Sequence, residues 1–117
     1  MPIQAPYLFT VSMDVRADKE VLFNQVYNHE HVPLLLEVPG VLSVARFKRE
    51  ELTLIIGGEQ KKIVIEDEPH YTALYELAGP EVLVSEAWGR AVDRGRWPGE
   101  VRPFTVNRRH TLHRRLG

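Results

Sequence analysis

Residues 24–38, NQVYNHEHVPLLLEV, hold the groups in this chain best suited to moving a proton. His29, Glu30 and His31 follow one another, and Pro33 comes two residues later. On a helical wheel at about 100° per residue, Leu22, Phe23, Val26, Tyr27, Leu34 and Val38 share one broad apolar face. Glu30 falls inside that face, between Phe23 and Leu34. His31 lies on one shoulder beside Tyr27 and Leu35, and His29 lies on the wetter opposite shoulder. Pro33 has no N–H, so the carbonyl of His29 loses its helical partner and a kink is expected there. A kink beside a buried carboxylate would open a small cavity under the helix. A buried Glu30 needs a cation, a hydrogen bond or a proton, because an unpaired ionised carboxylate costs several kcal/mol in effective terms. Arg46 and Arg102 are candidate partners, and Tyr75 can supply a phenol hydroxyl. A desolvated glutamate beside a histidine has its pKa pushed toward neutrality, which suits proton transfer. Alternatively, the kink turns Glu30 out to solvent, and His31 merely fills the gap.

Other chemistries find less support. Three consecutive residues splay around a helix and cannot all bind one metal; no His-Glu-x-x-His motif exists. Cysteine is absent, which removes disulfides, thiolate nucleophiles and Cys-ligated metals. Haem would want one buried axial histidine, for which His31 is the candidate; no cofactor is expected. Trp88, Trp97, Tyr71 and Phe104 are candidate walls of an aromatic pocket. Trp97, in the loop RWPGE beside Pro98, is poorly placed for the core, so it should close over a pocket or pack on a partner. IIGGEQKK lacks the spacing of a phosphate-binding loop.

The chain has 117 residues, 44% apolar and 26% charged, with net charge -1. That describes one domain able to bury a core, with no global field toward nucleic acid or anionic membrane. The basic end, with Arg108, Arg109, Arg114 and Arg115, is matched by acids at 50, 51 and 66–68, so contacts within a dimer are expected rather than nucleic acid. The N-terminus lacks the pattern of a signal peptide, and no apolar run reaches the roughly 20 residues that span a bilayer, so a cytoplasmic location is expected.

The elements that must position these groups follow from periodicity. Residues 7–15 alternate, with Tyr7, Phe9, Val11, Met13 and Val15 on one face of a strand. A helix follows, with Asp18 as its expected N-cap, ending at Pro39-Gly40. Residues 41–50 read as a strand, 52–66 as a hairpin around Gly57-Gly58, and 70–77 as another strand. Ser85 should cap a second helix that Gly95 closes, and residues 104–112 form the last strand. The order β-α-β-hairpin-β-α-β predicts an α+β, ferredoxin-like antiparallel sheet with both helices on one face. The other face keeps apolar residues, for instance Leu42 and Val44 or Leu74 depending on register. A second copy, sheet against sheet, is its simplest cover.

With NHEHVPLL late in the first helix, PGVLSVARFK entering the second strand, YTALYEL in the third and SEAW opening the second helix, the chain resembles the dimeric α+β barrel superfamily, EthD-like branch. The resemblance covers residues 7–109, with the hairpin as an insertion. It implies a homodimer with a cavity between sheet and helices. It also raises the standing of His31, since EthD-like proteins often carry a polar histidine at this helix end. Relatives include cofactor-free monooxygenases, lactone isomerases, dehydratases and haem-binding enzymes, so the fold does not select the chemistry. The leading expectation is a protein that binds a small hydrophobic metabolite, aromatic or lactone-like. If it is an enzyme, the expected reaction is cofactor-free isomerisation, dehydration or oxygenation of an activated carbon acid, in which His31 is the acid or base, Glu30 tunes it, Arg46 or Tyr75 stabilises negative charge, and Tyr27 and Trp97 contact substrate. A non-catalytic binding module and a hairpin-mediated interaction protein are the alternatives.

Overall fold

The computed structural model describes residues 3–117; Met1 and Pro2 lie outside it. Strands β1 (Tyr7–Val15), β2 (Val41–Lys48), β5 (Tyr71–Leu77) and β6 (Thr105–Arg114) form one antiparallel sheet in the order β2-β5-β1-β6. The hairpin β3 (Leu52–Ile56) and β4 (Glu59–Ile63) forms a two-stranded sheet of its own. Its turn places Gly57 at φ 62° and Gly58 at φ 82°, a conformation that glycine adopts without steric cost. The fold is α+β and ferredoxin-like, as the order of elements predicts.

Strict alternation in β1 and β5 decides which face is covered. Phe9, Val11 and Met13 are buried, and so are Tyr71, Ala73, Tyr75 and Leu77. They pack against Phe23, Val26 and Leu35 of the long helix and against Ala91 of α3 (Glu86–Ala91). Ser85 caps α3, its hydroxyl accepting from the Trp88 N–H at 3.1 Å. Asp18 does not cap the first helix. It sits in a 3-10 turn, Ala17–Lys19, and pairs with Arg16, because the α-helix begins one residue later than the pattern implies, at Glu20 with Lys19 in the capping position.

The opposite sheet face carries Leu74, aligned with Thr10 of β1 and Ala45 of β2. Phe47 on the edge strand is 55% exposed. Val44 is on the covered side, packed on the core, and Leu42 projects at a register shift between Val41 and Ser43. Among the described residues, no helix is long and apolar enough to cross a membrane.

The long helix is not one uniform α-helix. It runs α1 (Glu20–Val26), a π turn (Tyr27–His31) and α2 (Val32–Leu36). The Val32 N–H donates to the carbonyl of Tyr27, five residues back. Pro33, with no N–H to offer, sits just after this widened turn. A π turn adds one residue to the helical count, so beyond it the buried stripe shifts by one position. Leu35 is fully buried where the regular wheel places Leu34, and His31 is 5% exposed where it places Glu30. The kink expected at Pro33 is therefore a bulge.

Candidate functional site

Beneath the π turn lies a cavity of about 210 Å³ between the sheet and the helices. Its floor includes His31, Tyr27, Tyr75 and Leu35, all buried. Trp97 and Trp88 form walls, and Arg102, Arg108 and His110 stand at the wetter side. A larger hollow of about 550 Å³ lies at the base of the hairpin, between Arg49 and Lys62. It shares no residue with the cavity, and its walls mix three glutamates, Arg49 and Lys62 with aliphatic side chains and no aromatic group.

Four of the six residues expected at the site converge on the cavity: His31, Tyr27, Tyr75 and Trp97. The His31 ring stacks on Trp97 at 4.4 Å and 18°, and meets Tyr27 edge-on at 5.0 Å. Its Nδ1 is buried and has no hydrogen-bond partner among the described residues. Burial, with lesser contributions from the Arg102 and Arg46 charges, lowers the His31 pKa to about 4. The shift is away from neutrality, not toward it. His31 is thus a neutral imidazole at physiological pH, with one ring nitrogen carrying a proton and the other able to accept one.

The Tyr27 and Tyr75 hydroxyls share a hydrogen bond of 2.8 Å. Burial pushes both phenols above their usual pKa, so both stay protonated. One of the two protons serves the bond between them, which leaves the other free to donate onward. Arg46 stands on the far side of Tyr27, its guanidinium 4.2 Å from the ring centroid. Its donors reach Asn28 at 2.9 Å and Asn24 at 3.0 Å. Arg46 therefore biases the phenol pair through the ring and does not line the cavity.

Glu30 departs from expectation most. The π turn rotates it off the buried stripe, and its carboxylate accepts from the Arg96 backbone N–H at 2.9 Å and from Arg96 Nε at 2.6 Å. Those contacts, the backbone one foremost, hold its carboxyl below the usual range. Its partner is neither Arg46 nor Arg102 but Arg96, and its carboxylate makes no hydrogen bond to the His31 ring. Instead it clamps the loop that delivers Trp97. Gly95, at φ 71°, makes that approach possible, since a Cβ there would stand 2.8 Å from Glu30 Oε1. Gly95→Ala should therefore cost on the order of 1–2 kcal/mol in denaturant unfolding, from the strained φ and the displaced carboxylate.

Trp97 is 5% exposed, against the expectation that a loop tryptophan beside Pro98 would be badly placed for the core. RWPGEVRP is not an open loop: Trp97–Val101 forms a second π turn, followed by a 3-10 turn, Arg102–Phe104. Trp97 packs between Phe23, Tyr27 and His31, so it is both core and cavity wall. Of the other aromatic candidates, Trp88 lines the cavity, whereas Tyr71 and Phe104 do not. Arg16 and Lys19 lie over the Phe104 ring instead.

Arg108 and His110 escaped the sequence reading as site residues. His110 aligns with Val11 across β1 and β6 and stacks on Phe9 at 6.0 Å, which places it on the cavity side. Arg108, two residues earlier, shares that side. The only signal in the sequence was alternation within a stretch that reads simply as basic. No three His, Asp or Glu side chains among the described residues converge as metal ligands.

No known family profile matches the chain, and no curated protein matches it in sequence. Solved structures do. MhuD of Mycobacterium tuberculosis, a haem degrader determined with two haems in its active site, superposes with a TM-score of 0.62 at 13% identity. The match covers 95% of this chain and 96% of that one. A protein of the EthD family from Bacillus halodurans superposes with a TM-score of 0.56 at 10% identity, over 94% and 99% of the two chains. The chain shares its α+β, ferredoxin-like fold with both structures. Such low identities concern the backbone alone, and the cavity is lined by this chain's own choice of aromatic and basic side chains.

Proposed function

We propose that this EthD-like protein binds a small aromatic or lactone-like metabolite in the cavity and removes a proton from an activated carbon of it. The observation that carries this reading is the His31 ring, buried and neutral, which lines a space of about 210 Å³ and whose buried Nδ1 has no hydrogen-bond partner among the described residues. Buried polar atoms without partners are uncommon in folded proteins, so this ring is held for more than packing. His31 acts as general base. The phenol pair, polarised by Arg46, donates its spare proton to the oxygen on which negative charge develops. The base is weak, so the substrate must be acidic at carbon. Glu30 holds the Trp97 loop and takes no direct part, in place of the tuning role its sequence position implied.

The test is deuterium incorporation at the α-carbon of a panel of aryl ketones, aryl acetates and enol lactones, followed by NMR. Exchange catalysed by the protein and lost in His31→Ala supports the reading. Binding without exchange, or exchange indifferent to His31, overturns the catalytic part. A non-catalytic binding module is the second reading. It draws on the paired Glu30 and on the His31 ring packed flat against Trp97. The cavity favours both readings over an interaction protein acting through the hairpin, although Ile55 there is 72% exposed.

Haem, which the mycobacterial neighbour binds, does not suit these residues. The cavity falls short of the roughly 300 Å³ at which drug-sized pockets begin, and Trp97 covers one face of His31. Two copies pair through the open sheet face, with Leu74, Ala45 and Phe47 as apolar contacts. Sedimentation showing only monomer at micromolar concentration would overturn the pairing.

A further inference from the structure

We infer that the cavity takes an aromatic carboxylate, its ring inside against Trp88 and Trp97 and its carboxylate at the opening between Arg102 and Arg108. This rests on the ligand-binding reading above and gives the ligand a charge. Two guanidinium groups line the cavity, and no carboxylate does. Arg102 spends one nitrogen on the Val92 carbonyl at 2.6 Å and on Asp93 at 3.0 Å, leaving its other donors for a ligand. Asp93 itself lies outside the lining, with 64% of its side chain exposed. Arg108 forms no ion pair among the described residues.

Deeper in, the walls are uncharged: a neutral imidazole, two protonated phenols and two indoles. Positive charge gathered at the opening of an apolar space focuses the field there and draws an anion to that point. The planar fork of arginine matches a carboxylate bidentately, and the flat aromatic walls suit a ring. Size agrees. A dry cavity of about 150 Å³ holds a benzene molecule, so about 210 Å³ holds one ring with a carboxylate-sized substituent. A porphyrin or a nucleotide exceeds it.

Benzoate and benzamide differ mainly in charge, and calorimetric titration of the protein with each at low salt separates shape from charge. Benzoate should bind at least about tenfold more tightly than benzamide. Arg108→Gln, a change at an exposed position, should erase about tenfold of the benzoate affinity and leave benzamide unchanged. Raising the salt concentration on the unmodified protein should narrow the gap in the same direction. Equal affinity for acid and amide, a gap that ignores salt, or benzoate binding untouched by Arg108→Gln would each overturn the inference and leave the cavity a neutral-ligand site. Binding of neither probe would overturn the inference and the ligand-binding reading together.

Discussion

His31→Ala is expected to slow proton exchange at the substrate carbon by about two to four orders of magnitude, the usual contribution of a positioned general base. The pH profile identifies the group. His31 must be neutral to accept a proton, and its pKa is about 4. The rate should therefore be flat from neutral pH down to about pH 5 and fall roughly tenfold per unit below pH 4. An anionic ligand beside the ring would favour the imidazolium and move the turning point upward.

The same group links pH to folding. The imidazole binds a proton at 6.5 when unfolded but only near 4 when folded. Between those values the unfolded chain holds more protons, so stability rises with pH and falls as the solution is acidified. From pH 7 to pH 5 this one group should remove about 2 kcal/mol of stability, reaching about 3 kcal/mol at pH 4. Denaturant unfolding of the wild type and of His31→Leu at both pH values checks this. The variant should lose that part of the acid sensitivity, and equal slopes for the two proteins would contradict a buried neutral His31.

Trp97→Ala should be the most destabilising change at the site, at about 3–5 kcal/mol, the range for emptying a buried tryptophan position. Trp97 packs on Phe23, Tyr27 and His31, and its loop is tied down next door by the clamp of Arg96 on Glu30. A second readout separates this role from simple packing. Opening the wall lets water reach His31, so its ring titration, followed by NMR, should climb from about 4 toward 6.5. Trp97→Phe, which keeps an aromatic face, should preserve most of the stability and most of the depressed pKa. If His31 titrates unchanged in a folded Trp97→Ala, its desolvation comes from elsewhere, and the tryptophan is core alone.

Glu30 and His31 show why a sequence can point to a site and still mistake its members. A wheel with a fixed angle per residue places Glu30 inside and His31 on the shoulder. One widened turn exchanges them, and with them the roles of base and clamp. Pro33 announced an irregularity but not its kind, because a kink and a π turn both answer a missing N–H. Trp97 misled for a similar reason: Pro98 and Gly99 suggested an open loop, yet a second π turn carries the indole inward.

Alternation and turn chemistry are local, and they were legible. The covered face of β1, the glycine turn of the hairpin, the Ser85 cap and the order of elements all follow from residues near in sequence. From that order come the ferredoxin-like sheet and the placement of both helices on one side. Tertiary structure alone decided the rest. The phase of the long helix depends on a bulge stabilised by packing against Trp97, some 70 residues away along the chain. The register of β6 against β1 decides that Arg108 and His110 face the cavity and not solvent. Neither follows from local preference, because a shift of one residue in either element costs little locally and reverses which side chains meet.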